Sequence, residues 1–309
     1  MLHFLKLIRW KNLLLLILAQ VLFKYALLEP LKLDYGIGTS LTHLGFLLLV
    51  FATVCIAAAG YIINDIEDIE ADNINKPEAV IIGKHISEKS ATRLFIILNM
   101  IGVICGFLIS RAVGKPSFFV LFIITSALLY MYSTYLKKIL LVGNIIIAGL
   151  VSLSILLVGI FDLIPAVTES NQVSQLFFLD LIKDYAIFAF MLNLLRELVK
   201  DIEDVDGDYK IGVKSLPILF GRTRAVKIAF VLSLIPLVII ILYLVNNLYK
   251  QQLAIGYVLF LIIAPMLYVS IKLFSAEHKK VFKHISTVLK LVMLTGILSL
   301  LLFQFMLLK

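Results

Sequence analysis

An all-α fold of membrane-spanning helices is what this sequence predicts, from three observations. Apolar residues make up 61% of the chain and charged ones 16%, with a mean hydropathy of +1.05. Soluble globular domains carry about 25% charged residues, so this balance lies outside their range. The apolar residues also come in runs of about 20, enough to cross about 30 Å of hydrocarbon. Finally, once those runs are counted as crossings, 21 of the 28 Lys and Arg residues fall on one side.

Taken in order, nine runs qualify: 12–28, 42–63, 92–110, 117–135, 143–161, 185–199, 225–246, 252–273 and 286–307. The first follows Lys6, Arg9 and Lys11 and superficially looks like a signal peptide. No small-residue cleavage site stands near its end and further spans follow, so a retained helix is expected. The sixth is the shortest, and it leads straight into an acidic stretch. The cation-rich side holds the long polar loops 64–90 and 200–224, whereas connections such as 111–116 and 247–251 are short. The segment 162–184 reads as an ordinary solvated loop on the opposite side. Lys and Arg accumulate in cytoplasmic loops, so a multi-pass cell-membrane protein with a cytoplasmic N-terminus and cytoplasmic long loops is expected. The net charge of +8 is then a mark of topology, not a nucleic-acid footprint. Cys55 and Cys105 lie in apolar runs without CxxC or Cys/His spacing, which argues against a disulfide framework and a zinc site. No polar insertion divides the chain, so residues 1–309 are read as one domain.

The chemistry gathers in two nine-residue windows. Residues 64–72 read NDIEDIEAD and residues 200–208 read KDIEDVDGD, and together they hold ten of the 20 acidic residues. Each window follows an apolar run, so the carboxylates collect where two helices end. On a continuous helix Asp65, Asp68 and Asp72 sit at i, i+3 and i+7 and share one face, as do Asp201, Asp204 and Asp208. Like charges on one stripe destabilise a helix unless a cation neutralises them. Carboxylates suit a hard cation such as Mg2+, completed by substrate phosphate oxygens. One window alone would read as a solvated acidic cap; two near-copies at matching helix ends point to a metal site. The pair predicts an internal repeat, with spans two and six facing each other across a central cavity. Pro77 and Pro217 are expected to end local helix and hold the loops after the windows as lids.

Acid alone would repel a diphosphate, so the metal is required by sign. Arg196, Lys200, Lys137, Lys138, Lys84 and Arg222 are candidate phosphate contacts, Arg by bidentate pairing and Lys as point charges. Arg9 and Lys11 entering span one, and Lys210 and Lys214 after the second window, add cations for a phosphorylated acceptor. Each of these also reads simply as a topology signal. Glu197 is spaced to pair with Arg196 or Lys200. Tyr132 and Tyr135 end span four beside Lys137 and read either as an interfacial aromatic belt or as hydroxyls reaching the cavity. Asn12 and Asn193 are span amides, whose default role is a helix–helix hydrogen bond. Asp68 and Asp204, with Lys137 and Arg196, are the expected catalytic groups.

The paired DxxDxxxD windows, the first preceded by Asn64, together with the Tyr132-Ser133…Leu136-Lys137-Lys138 element, resemble the UbiA superfamily of intramembrane prenyltransferases. The resemblance extends over essentially the whole chain. It implies an all-α bundle with a lipid-open cavity, in which Mg2+ binds a polyprenyl diphosphate that ionises to an allylic carbocation captured by an acceptor. Carried over residue by residue, the implied metal set is Asn64, Asp65, Asp68, Asp72, Asp201, Asp204 and Asp208. Lys200 stands where the first window has Asn64, so the two sites are expected to differ. Arg196-Glu197 through Asp208, followed by Gly212-Val213-Lys214-Ser215-Leu216-Pro217, looks most like the digeranylgeranylglyceryl-phosphate synthase branch. That branch implies a geranylgeranyl diphosphate donor and a prenylglycerol phosphate acceptor joined as an ether lipid. No obligate protein partner is implied beyond the membrane lipids.

Two alternatives remain at this point. An aromatic quinone or haem precursor would use the same fold and metal chemistry. A transporter would place its acids inside the spans near the midplane, not at helix ends on one side.

Overall fold

The computed structural model describes residues 2–303 and 305. Among them there is helix and connecting turn but no strand, as the hydropathy pattern demands: in hydrocarbon a chain must satisfy its backbone polar groups internally. A short α1 (Leu2–Leu7) precedes α2 (Trp10–Leu31), α3 (His43–Glu67), α4 (Ile69–Asn75) and α5 (Glu88–Ala112). Then come α6 (Pro116–Thr134), α7 (Val142–Ala166), α8 (Gln172–Lys210), α9 (Leu216–Phe220), α10 (Arg222–Leu248), α11 (Gln252–Phe274) and α12 (Lys279–Leu302).

Eight of these are long and apolar enough to cross a membrane. The sixth expected span, 185–199, lies inside α8, a 39-residue helix too charged near both ends to join that count. The expected end of the last span at Leu307 lies outside the described residues.

Two apolar clusters divide the bundle. One gathers α2, α3, α7 and the first half of α8, around Phe23, Phe46, Phe161 and Phe178. The other gathers α10, α11, α12 and the second half of α8, around Leu195, Val199, Met266 and Phe282. α8 belongs to both and so fixes the two halves against each other. A third, small cluster seats α1 through Leu7, Ile62, Ile82 and Ala91. Outward faces of α3, α5 and α6 expose Leu44, Phe51, Met100, Ile104 and Ile124, as lipid-facing helices do.

The end of the bundle away from the acidic windows departs from expectation. The segment 162–184 is not a solvated loop: α7 runs on to Ala166 and α8 already begins at Gln172. Asp162 is fully buried, bonded to Lys24 Nζ at 2.7 Å and to the Leu41 amide at 2.9 Å. Lys24 is equally buried and also meets Glu29 at 2.9 Å, so it is a core residue. Both partners sit where the helix widens to π geometry, at Phe23–Leu28 and Gly159–Leu163. The pair stands because each buried charge has its counter-ion and further hydrogen bonds; removal of either would strand the other. Gln175 completes this end by donating to the carbonyls of Gly38 and Leu163.

Pro217 also corrects the expectation. It lies in the first turn of α9 and starts a helix instead of ending one, as a residue without a backbone N–H does best. Pro77 likewise opens a single 3-10 turn, Pro77–Ala79, after Lys76 has left helical geometry.

Candidate active site

The two windows rim one cavity of about 870 Å3. Its mouth carries Asn64, Asp65, Asp68, Asp72, Asp201, Asp204 and Asp208. Beneath lie Arg9, Asn12, Tyr132, Lys137, Asn193, Arg196 and Lys200, and its floor is apolar, with Leu16, Ile56, Phe122, Leu150 and Ile297. Every expected metal residue and seven of the expected substrate residues are thus brought together.

Seven expected residues are not among the cavity lining: Lys11, Lys138 and Lys210, together with Lys84, Tyr135, Lys214 and Arg222. Lys84 is exposed and donates to the Pro77 carbonyl at 2.7 Å. Tyr135 is exposed, in keeping with the aromatic-belt reading. The Lys214 side chain is exposed while its amide bonds the Lys138 carbonyl at 3.0 Å. Arg222 stacks over the Phe282 ring at 5.2 Å.

The windows meet directly. The Asn75 side chain, at the end of α4, donates to the Asp204 carbonyl at 2.8 Å and accepts from the Gly207 amide at 2.9 Å. Gly207 is needed here: a Cβ would stand 2.3 Å from Asn75 Nδ2 and 2.7 Å from the Ala71 carbonyl. The backbones of α4 and α8 therefore touch across the second window's only glycine.

Each window's carboxylates are held by different partners. Arg9 bonds Asp65 at 2.8 Å, Asn64 bonds Asp68 at 2.8 Å, and Lys137 pairs closely with Asp68. In the second window Asn144 bonds Asp201 at 2.9 Å and Lys76 bonds Asp204 at 2.6 Å. Lys200, which replaces Asn64 in the alignment of windows, turns back to Glu197 at 2.8 Å, and Arg196 bonds the same carboxylate at 3.1 Å. The spacing signal thus anticipated the Glu197 pairing. It missed Lys76, which reaches from beyond the first window to the second, and Asn144, which reaches Asp201 from the first turn of α7.

Backbone strain accompanies this arrangement. Arg9 and Leu141 have φ of 50° and 61°, and are the two described non-glycine residues in the left-handed region. Both line the cavity. Such conformations cost about 1–3 kcal/mol and persist where surrounding structure fixes them. At Arg9 the bend between α1 and α2 carries the guanidinium over Tyr61, 5.1 Å from the ring centre, and onto Asp65.

The residues fit a hard divalent cation by two observations. The buried Asp204 Oδ1 lacks a hydrogen-bond partner. Burial, then the nearby Asp68 and Asp65 carboxylates, push Asp72 up to about 6, and burial, then Asp204 and Asp68, push Asp208 up to about 7. Asp208 feels Asp68 of the opposite window, so the two carboxylate sets form one field of excess negative charge. Among the described residues no three His, Cys, Asp or Glu groups converge closely enough to hold an ion as they stand. Asp68 and Asp204 are turned to Lys137 and Lys76.

Fold and site together define a helical membrane protein with a deep, carboxylate-rimmed cavity. The chain belongs to the UbiA prenyltransferase family, whose description matches residues 34–294, and it is accordingly a prenyltransferase. It is 30% identical over 256 residues to a digeranylgeranylglyceryl phosphate synthase of Methanosphaera stadtmanae, covering 81% of this chain and 86% of the relative. It is 38% identical to the synthase of the same name from Sulfolobus acidocaldarius, over 62% of this chain and 63% of that one. A solved structure of a digeranylgeranylglyceryl phosphate synthase superposes with a TM-score of 0.61 at 25% identity, over 97% of this chain and 98% of the other. A UbiA homologue from Archaeoglobus fulgidus, bound to DMAPP and Mg2+, shares the fold at a TM-score of 0.59 and 19% identity, over 96% and 98%.

Proposed function

We propose that this chain transfers a geranylgeranyl group from its diphosphate to the hydroxyl of a prenylglycerol phosphate, forming an ether lipid, with Mg2+ as cofactor and both windows facing the cytoplasm. The observation that carries the reading is the cavity: opposed carboxylates at the mouth, cations beneath them, and an apolar floor. The names of the relatives and the ligands of the Archaeoglobus structure support it. So does the 21-to-7 division of Lys and Arg for the orientation.

Asn64 and the six window aspartates are the residues that would hold the metal. Mg2+ supplies positive charge that neutralises the diphosphate oxygens and stabilises the leaving group. Lys137 and Lys76 release their carboxylates and donate to the diphosphate. Tyr61 and Tyr132 line the cavity, and an aromatic ring beside the allylic carbon would favour positive charge developing there. Glu197, held by Arg196 and Lys200, orients those two cations and is too well paired to serve as a base. The C–O bond of the donor breaks with its electron pair leaving on the diphosphate. The acceptor oxygen forms the new C–O bond, and its proton passes to the departing diphosphate.

The test is product analysis with labelled geranylgeranyl diphosphate and a panel of acceptors. A labelled ether from prenylglycerol phosphate, formed with Mg2+ and abolished reversibly by EDTA, is the expected result. Prenylation of 4-hydroxybenzoate but not of prenylglycerol phosphate would overturn the acceptor; full activity in EDTA would overturn the metal. For orientation, Asn73→Cys and Asp206→Cys in a Cys55/Cys105-free background should label only from the cytoplasmic side, and Ser170→Cys only from outside. Labelling of Asn73→Cys and Ser170→Cys from one face would refute it.

A further inference from the structure

Lys290, one of the 21 Lys and Arg counted on the cation-rich side, lines the cavity from α12. Lys6, also in the lining, is exposed; among the half-buried cavity cations the position of Lys290 is unusual. Arg9, Lys76, Lys137, Arg196 and Lys200 each sit on a carboxylate. Lys290 instead donates to a neutral oxygen, Asn12 Oδ1, at 3.1 Å, and among the described residues it forms no ion pair. Its strongest charged neighbours are three cations, Arg196, Lys200 and Arg9, with Glu197 the one carboxylate among them.

A half-buried ammonium among like charges is costly unless an anion compensates it. A second observation points the same way. The Arg196 Nε is buried and has no hydrogen-bond partner, although its Nη1 is engaged by Glu197. One guanidinium edge therefore remains to be satisfied on the cavity wall. Asn12 is held in place by its own donation to the Tyr61 hydroxyl at 3.3 Å, so the amide that positions Lys290 is itself fixed.

We infer that Lys290 and Arg196 form a second anion subsite, separate from the metal-binding windows, which takes the phosphate monoester of the acceptor lipid. The inference rests on the proposed acceptor class and deepens it. Diphosphate and acceptor phosphate are thereby sorted by chemistry: the donor would go to the carboxylate-rich mouth, whose aspartates would hold the metal, and the acceptor to Lys290, which has no ion pair among the described residues, and to the Arg196 edge that Glu197 leaves unbonded. Charge arithmetic agrees. A phosphate monoester carries nearly two negative charges near neutral pH and calls for two cations, here one guanidinium fork and one ammonium. α12 also provides for the tail. Lys290, Met293 and Ile297 follow at i, i+3 and i+7 and all line the cavity, so a headgroup at Lys290 directs its chain along an apolar stripe. Arg9 and Lys137, the cations that sequence position favours for this task, are instead committed to Asp65 and Asp68.

The test compares wild type with Lys290→Met and Lys290→Arg in turnover and in binding. Lys290→Met should raise the apparent KM for prenylglycerol phosphate about tenfold or more while that for the donor shifts less than about twofold, and Lys290→Arg should largely rescue it. The same variant should lose the preference for prenylglycerol phosphate over unphosphorylated prenylglycerol. Binding of labelled prenylglycerol phosphate to detergent-solubilised protein is measured in EDTA, where the metal windows are silent; Lys290→Met should weaken it and wild type should retain it. An increase confined to the donor KM, or unchanged EDTA binding in Lys290→Met, would overturn the subsite. Should Lys290→Met not yield folded protein, Asn12→Ala, which frees the ammonium without removing it, must shift the acceptor KM alone for the inference to hold. If wild type turns over no prenylglycerol phosphate, the acceptor reading fails, and metal-free binding decides the subsite: charge-dependent binding at Lys290 keeps it, and no binding refutes it.

Discussion

The two acidic windows share a letter pattern but not a structure. In the first, helix α3 stops at Glu67, Asp68 adopts φ −97° and ψ 6°, and α4 resumes at Ile69. In the second, α8 runs unbroken through Asp201, Asp204 and Asp208 to Lys210. The i, i+3, i+7 stripe is therefore continuous in one window and bent at its central carboxylate in the other. Burial differs as well: Glu203 is buried, whereas Glu67, its counterpart, is exposed. The bend has a use. It lets α4 lean on α8 so that Asn75 and Lys76, beyond the first window, reach the backbone and carboxylate of the second. One window is a straight helical wall and the other a bent one tied to it. The residue pattern sets the chemistry of the pair; the backbone sets which side reaches across.

Several substitutions sharpen or break this comparison. The central carboxylates carry the largest expected effect: Asp68→Asn and Asp204→Asn should each lower kcat/KM on the order of 10²–10³-fold or more, with protein still folded and extractable. Near-normal turnover in either variant would show that a single window suffices. Next comes the contact itself. Gly207→Val drives a branched side chain into Asn75 and the Ala71 carbonyl, and overpacking of this kind costs about 1–3 kcal/mol. A lower Tm together with lost turnover is expected; full activity would mean that the windows need not touch.

The lysine partners should be unequal. Lys137 has 9% of its side chain exposed and Lys76 has 39%, so solvent screens Lys76 more. Lys137→Met should raise the donor KM about tenfold, and Lys76→Met by less. Equal effects would argue that the two windows bind the diphosphate symmetrically.

The smallest effect is one of pH. Asp72 and Asp208 have folded-state pKa values of about 6 and about 7, above the ordinary 3.8. A carboxyl whose pKa is raised on folding contributes stability below its unfolded value, and that stability is lost as pH rises through the folded value. Metal-free protein should therefore melt at progressively lower temperature between pH 4 and about 7, and the Tm increment given by Mg2+ should grow over the same interval. A Mg2+ increment that is flat from pH 5 to 8 would remove these two residues from the metal set.

Much of this protein is legible in one dimension. Run length and composition gave membrane helices because crossing hydrocarbon imposes a fixed length and forbids unpaired backbone, whatever the neighbours are. The windows stood out because acid concentrated at two helix ends is conspicuous against an apolar chain, and all seven expected metal residues do line one cavity. Which cations join them was legible only in part: Arg9, Lys137, Arg196 and Lys200 were expected and line the cavity, whereas Lys76 and Lys290 were not singled out. Twenty-one Lys and Arg lie on the same side, and position along the chain cannot separate those that turn inward from those that face water. That choice was made by the left-handed backbone at Arg9, the bend at Asp68, the bare backbone of Gly207 and the rotation of α12 that turns Lys290 inward. The buried Lys24–Asp162 pair was hidden for the same reason: its partners are 138 residues apart, and only packing makes them neighbours. Hydropathy is summed along a chain and so survives in the sequence, whereas the pairing of charges depends on how helices are turned against one another, which only the folded bundle decides.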